Sequence, residues 1–227
     1  MILSGTFSYP GRYRSFLPEH RMDAVQECNC GEHRAVVLCS GSGPRGKAAA
    51  ELTAQAAAGF LTFRFSRCLL EEPEVLQQEM AQIMSQVPVQ SDCTLLAAAM
   101  DQQGHFCAFH LGDGTLLGKL ETTPQWTVIS PPQPCPVPGS TARTGNSFLF
   151  GSLRFYRVME PGGHRLFLAG KGVAELIAHQ PALLNHPERL GELILRAEQG
   201  QPQALPELSH ILEDDCSAAW LSVFPWV

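Results

Sequence analysis

The sequence predicts an α/β domain built as a four-layer α-β-β-α sandwich of mainly antiparallel sheets, and two observations carry that prediction. Short strand-like runs follow one another through compact turns, which implies antiparallel pairing, because parallel neighbours need long crossovers. Two helices stand together after the first strands, and more helices precede a last strand. Two sheets covered by helix layers suit this order better than a parallel doubly wound sheet. The 227 residues are expected to form one domain, residues 1–227, long enough to bury a substantial core.

The elements follow in order. Met1–Ser8 reads as a strand, and Ala24–Glu27 with Arg34–Cys39 reads as a hairpin around Asn29-Cys30-Gly31. Lys47–Phe63 is Ala-rich and predicts a long helix of high propensity. Glu74–Met84 places Leu76, Met80, Ile83 and Met84 at helical spacing. Thr94–Met100, His105–Leu111 and Thr115–Leu120 predict three strands, with Asp101-Gln102-Gln103-Gly104 and Gly112-Asp113-Gly114 as their turns. Trp126–Ser130, Ser147–Tyr156 and His164–Ala169 add strands, Val173–His179 and Pro187–Glu198 add helices, and Ala218–Phe224 closes the chain as a strand. The Pro-rich stretch from Ser130 to Gly139 excludes helix and central strand, since Pro lacks the amide donor.

Composition excludes several function classes. The hydrophobic fraction of 44% and charged fraction of 17% are those of a globular chain. A formal charge of −6 argues against nucleic acid or an anionic membrane as partner, because both are bound through a Lys/Arg surplus. No apolar run reaches the roughly 18 residues of a membrane span, and residues 1–20 do not read as a signal peptide. The eight Cys contain no C-x-x-C pair, so they are expected to be reduced thiols of a cytoplasmic protein. Cys28 and Cys30 beside His33 lack two further evident ligands and read as a hairpin turn before a zinc site.

The stretch from Ala35 to Ala48 is the most informative. A buried strand enters a Gly-rich turn that opens a long helix, and such a helix start favours anions. Gly41, Gly43 and Gly46 fit the dinucleotide pattern G-x-G-x-x-G, yet a second helix comes before the next strand and no acid stands at the ribose position. Gly41, Gly46 and Lys47 nearly fit a P-loop, but Ala48 stands where a hydroxyl should hold Mg²⁺. A nucleotide binder centred on Gly41–Lys47 is therefore a minority reading.

Five motifs in order give a third reading. Leu38-Cys39-Ser40-Gly41-Ser42-Gly43 is similar to a V-A-D-G-x-G-G strand–turn–helix segment, and Ser91-Asp92-Cys93-Thr94 to G-[ST]-T-A. Gly112-Asp113-Gly114 is similar to a G-D-S turn, the segment Leu166–Val173 to L-x-S-D-G-x, and Asp214-Asp215-Cys216-Ser217 to D-N-x-T. This set resembles the type-2C, metal-dependent protein phosphatase family over roughly the full chain. The resemblance implies the α-β-β-α fold, two divalent cations held by Asp carboxylates and a Gly carbonyl, and a metal-bridged water that attacks phosphoserine or phosphothreonine.

By the same resemblance the bridging Asp falls on Ser40, its neighbouring carbonyl on Gly41, and the Asp of the S-D-G segment on Lys171. Asp214 matches the last metal Asp, Asp113 the G-D-S acid, and Asp23 the acid of an N-E-D-A segment; Arg14 or Arg12 corresponds to a phosphate-binding Arg. Two carboxylates that a hard cation needs are thus missing. An ammonium about 4 Å from a divalent ion is repelled by about 8 kcal/mol at an effective dielectric of 20. Lys171 is therefore expected to occupy the cation position and to pair with Asp214 and Asp113. Taken alone, the same residues read blandly: Asp113 as a hairpin turn, Glu213-Asp214-Asp215 as a solvated acidic turn, Ser40 as a helix cap and Lys171 as an exposed turn.

These expectations amount to a pseudophosphatase, a phosphatase-like fold retained as a binding or regulatory module for a phosphoprotein or regulatory protein, with no cofactor. Arg45 and Lys47 would face a phosphate or acidic peptide. The alternative is an active Mg²⁺- or Mn²⁺-dependent phosphatase using Asp92, Asp113 and Asp214.

Overall fold

The computed structural model describes residues 1–11, 22–87, 92–123, 125–133, 152–198 and 215–224. Within these described residues ten strands and four α-helices follow in the order β1 (Ile2–Tyr9), β2 (Asp23–Asn29), β3 (His33–Ser40), α1 (Gly46–Leu70), α2 (Pro73–Ser85), β4 (Leu95–Asp101), β5 (Phe106–Leu111), β6 (Thr115–Lys119), β7 (Thr127–Ser130), β8 (Arg154–Val158), β9 (Arg165–Ala169), α3 (Lys171–His179), α4 (Pro187–Glu198) and β10 (Cys216–Val223). A 3₁₀ turn, Pro181–Asn185, joins α3 to α4.

One sheet has the order β1-β10-β9-β6-β7 and the other β2-β3-β4-β5-β8. Every described pairing is antiparallel. Three apolar layers stack through the molecule. Ala35, Val37 and Cys39 of β3, Leu95, Ala97 and Ala99 of β4, and Cys107 and Phe109 of β5 face α1 and α2. The alternate residues Val36, Leu38, Leu96, Ala98, Phe106 and Ala108 face Leu166, Leu168, Ala219 and Leu221 of the other sheet. The outer side of that second sheet packs Phe167, Ala169 and Ala218 against Val173, Leu176, Leu190 and Ile194 of α3 and α4. Period-two alternation with both faces covered is why β3, β4 and β5 carry unbroken apolar runs. The predicted four-layer α-β-β-α sandwich is the observed one.

Local differences have local causes. Helix α1 runs to Leu70, past the expected end at Phe63, because Phe65 and Cys68 continue its buried stripe. It stops where Pro73 opens α2, since the chain before a proline leaves the helical region. The Arg157 guanidinium then caps the free carbonyl of Glu71 at 2.8 Å. Strand β8 begins at Arg154, after Ser152 and Leu153, which the expected strand included and which are not extended into it; residues 147–151, with most of the Pro-rich loop, lie outside the described residues. The Gly112-Asp113-Gly114 turn is not a hairpin, because β5 belongs to one sheet and β6 to the other. It carries the chain between the sheets, helped by Gly112 at φ 117°. The seven described cysteines form no disulfide with one another, and five of them are buried. Among the described residues no helix is long and apolar enough to cross a membrane.

Candidate functional site

At one end of the sandwich β1, β3, β5 and β9 finish and β2, β4, β6 and β10 begin. The topology brings all five sequence motifs to this end, each through some or all of its residues. Asp23, the first residue of β2, lies directly opposite Ser40, the last of β3. Asp23 is 7% exposed, so its carboxyl sits inside the rim.

The Gly-rich turn is built by hydrogen bonds to its neighbours. Gly41 donates its amide to Met22 O at 2.9 Å, and Ser42 donates to Asp92 O at 2.9 Å. The Ser40 amide is taken by the Thr94 hydroxyl at 3.1 Å, and Thr94 returns its own amide to Ser40 O at 2.9 Å. A Cβ at Gly41 would overlap the Gly46 carbonyl, so only glycine permits the strand end to touch the helix start. Ser40 does not cap α1; Arg45 holds that position without a side-chain bond. The amides of Gly41, Ser42 and Gly46 are all spent inside the protein. They therefore cannot cradle a phosphate, and β3 and β4 pair antiparallel, unlike the parallel neighbours that a strand–crossover–strand unit provides. The nucleotide-binding reading of Gly41–Lys47 is corrected accordingly.

On the facing sheet, Gly170 donates to Ser217 O at 2.9 Å. A Cβ on Gly170 would lie 3.7 Å from Asp23 Oδ2, which places the end of β9 against Asp23. Lys171 follows as the first residue of α3 and is exposed. Asp113 is half-buried, two residues before Thr115, which pairs with Ala169. Asp214, Arg12 and Arg14 lie outside the described residues.

Asp215 departs from its expected role in a solvated turn. It is 5% exposed and accepts amides from Gly11 at 2.9 Å and Met22 at 3.1 Å. The sequence reading gave no such positioning role to Asp215, Met22 or Ser217. The doubled acid immediately before an apolar strand was the available signal.

A buried polar network supports the Asp113 crossover. His110 Nδ1 lies 2.5 Å from Ser130 Oγ, and the Tyr156 hydroxyl donates to the same oxygen at 2.8 Å. Gln133 brackets Gly112, donating its amide to Gly112 O at 2.7 Å and accepting from Gly112 N at 3.2 Å. Burial, and then the nearby Arg154 charge, push the His110 imidazole down to about 4, against the pull of the Gly112 and Gly114 carbonyls. At neutral pH His110 is a neutral hydrogen-bonding side chain.

A hard divalent cation requires several oxygen ligands, preferably anionic. Among the described residues no three His, Cys, Asp or Glu side chains come close enough to hold a metal ion. Ser40 offers a hydroxyl and Lys171 an ammonium, neither of them the anionic oxygen that a hard cation prefers.

Known proteins provide a frame for this geometry. The sequence model of protein phosphatase 2C matches residues 23–213. No curated protein is similar to the chain in sequence. A bacterial serine phosphatase has a similar structure, with a TM-score of 0.66, 14% identity and full coverage of both chains. The phosphatase domain of the cell-fate determinant SpoIIE from Bacillus subtilis aligns with a TM-score of 0.61 at 13% identity, covering 100% of this chain and 96% of the other. RsbX in complex with magnesium aligns with a TM-score of 0.58 at 11% identity, covering 98% of this chain and 96% of the other.

Proposed function

Because the chain belongs to the protein phosphatase 2C family, we propose that it is a pseudophosphatase, a phosphatase fold used as a binding or regulatory module instead of a two-metal hydrolase. The observation that carries this reading is the pair Ser40 and Lys171, where the family resemblance places two Asp ligands. Asp23 is left facing Ser40 across β2 and β3, a hydroxyl where a second carboxylate would serve a cation. The magnesium complex of RsbX supplies the contrast: a structural relative takes a metal, while here Ser40 and Lys171 stand where the resemblance places two of the Asp ligands. A phosphoprotein or a regulatory protein is the partner class that the fold suggests. We extend the reading to Lys171, whose ammonium is to serve as the resident cation at this end of the molecule and to pair with Asp214 and Asp113.

The test is Mn²⁺ titration by calorimetry together with Mn²⁺-dependent hydrolysis of a phosphoserine peptide. The wild-type chain is expected to show neither micromolar binding nor turnover. Turnover by the wild type would overturn the proposal in favour of an active enzyme using Asp92, Asp113 and Asp214. A double variant, Ser40→Asp with Lys171→Asp, is expected to gain Mn²⁺ binding, because both carboxylates return to the positions that the family uses.

A further inference from the structure

We infer that Asp215 is the positioning residue of this site, a carboxylate that ties the outlet of β1 in one sheet to the entry of β2 in the other and thereby sets where Asp23, Ser40 and Gly41 sit. The inference rests on the site proposed above, but its geometry is independent of any chemistry performed there. Asp215 immediately precedes β10, and each of its oxygens has its own donor. Oδ1 accepts from Gly11, 204 residues away, and Oδ2 from Met22, 193 residues away. Bonds from backbone amides to an ionised acceptor are roughly twice as strong as neutral ones, and at 5% exposure water competes poorly for them.

Met22 passes the constraint onward. Its amide is held by Asp215, and its carbonyl accepts the Gly41 amide at 2.9 Å. Its sulfur packs against Gly46, where an added Cβ would come within 2.8 Å of it. One residue later Asp23 begins β2 opposite Ser40. The line Asp215–Met22–Gly41 therefore runs from the last strand of one sheet to the Gly-rich turn of the other. Two residues further along β10, Ser217 accepts the Gly170 amide at 2.9 Å and its hydroxyl donates to Ser8 Oγ at 2.7 Å. The first turn of β10 thus reaches β1, β2 and β9. An amide side chain would not substitute fully at 215, because asparagine offers one acceptor oxygen and sets its NH₂ against a backbone donor.

Backbone amide exchange, followed residue by residue by NMR in wild type, Asp215→Asn and Asp215→Ala, tests the assignment. In the Ala variant the Gly11 and Met22 amides are expected to exchange about tenfold faster or more, while the core amides of Ala108 and Leu168 stay within about threefold of wild type. In the Asn variant one of the two amides speeds up and the other keeps its protection, and the Asp23 and Ser40 resonances move. That asymmetry is a readout that general destabilisation would not produce, and it remains available if the Ala variant fails to fold. Wild-type exchange at both amides in Asp215→Asn would overturn the inference. So would a rise at both in step with Ala108 and Leu168. Neither outcome depends on whether the site binds Mn²⁺ or cleaves a phosphoester, so this inference and the proposed function can fail separately.

Discussion

Two aspartates at opposite ends of the sandwich do the same chemical work at very different range. Asp101, at the β4–β5 hairpin, accepts the amides of Gln103 at 2.9 Å and His105 at 3.0 Å, both within four residues of itself. Asp215, at the candidate site, accepts amides some two hundred residues away. The first closes a turn that would form in a short peptide; the second exists only after both sheets have been assembled. One stabilises a local choice and the other a tertiary arrangement, and their substitutions should separate along that line.

Glycines draw the same line, with the largest expected effects. At the site end, a side chain at Gly41 would drive the end of β3 off the start of α1, because its obstacle is the Gly46 backbone. Gly41→Ala is expected to cost about 4 kcal/mol or more, because the backbone itself must move to admit the side chain. At the hairpin end, Gly104 has φ 93° and faces the Gly162 carbonyl. Gly104→Ala is expected to cost about 2 kcal/mol, since the partly exposed Gly162 turn that it meets can shift outward. Urea unfolding of both variants checks the ranking; equal losses would mean that the site end is no more constrained than a surface turn.

Asp215→Ala comes next. It leaves one buried and one partly buried amide donor without their acceptor, at about 1–3 kcal/mol each, so a loss of about 3 kcal/mol is expected in the same unfolding experiment. A loss below about 1 kcal/mol would place water on those amides and remove the distinction from Asp101.

That distinction also accounts for what the sequence disclosed. The Asp101-Gln102-Gln103-Gly104 turn was legible because its donors, acceptor and left-handed glycine lie within four residues. The sheet layers were legible because period-two alternation and the Ala-rich α1 are local patterns with one good structural solution. Asp215 was not legible: a carboxylate that accepts amides from residues 11 and 22 looks, in sequence, like any acid beside another acid. The crossover at Gly112-Asp113-Gly114 misled for the same reason. Its three residues are those of a hairpin, and its true path is dictated by β6 pairing with β9 and β7. The placement of Asp23 opposite Ser40 was within reach, since the hairpin register around Asn29 fixes it. The approach of Gly170 to Asp23 depends on how the sheets stack and was not.

Acid extends the comparison through His110, which lies near the site end. Its folded-state value of about 4 stands below the unfolded value of 6.5. Between these values the unfolded chain binds the extra proton, so folding stability rises with pH through that window and is lost as pH falls from 6.5 toward 4. The contribution is about 3 kcal/mol at neutral pH. Urea midpoints measured from pH 7 to pH 4 should fall accordingly in wild type. His110→Gln should flatten much of that slope, and an unchanged slope would assign the acid sensitivity to other groups.

The smallest expected effect is at Asp101, and there the nature of the substitution matters more than its size. Both backbone donors go to a single oxygen, Oδ1, while Oδ2 faces His105 Nδ1 at 2.7 Å. Asparagine keeps an amide oxygen for the two backbone donors and offers an NH₂ to the imidazole, whose Nδ1 accepts in one of its neutral tautomers. Asp101→Asn is therefore expected to change stability by less than about 0.5 kcal/mol, and Asp101→Ala to cost about 1 kcal/mol, since this half-exposed turn can recruit water. At Asp215 the two donors are divided between the two oxygens, so the same Asp→Asn change removes one bond and sets donor against donor. Comparing the two Asn variants by urea unfolding isolates that geometry from charge, because both lose one negative charge. A loss at 215 that exceeds the loss at 101 by about 1.5 kcal/mol or more would show that the division of donors between the oxygens matters at the site end. Equal losses would reduce Asp215 to a second Asp101.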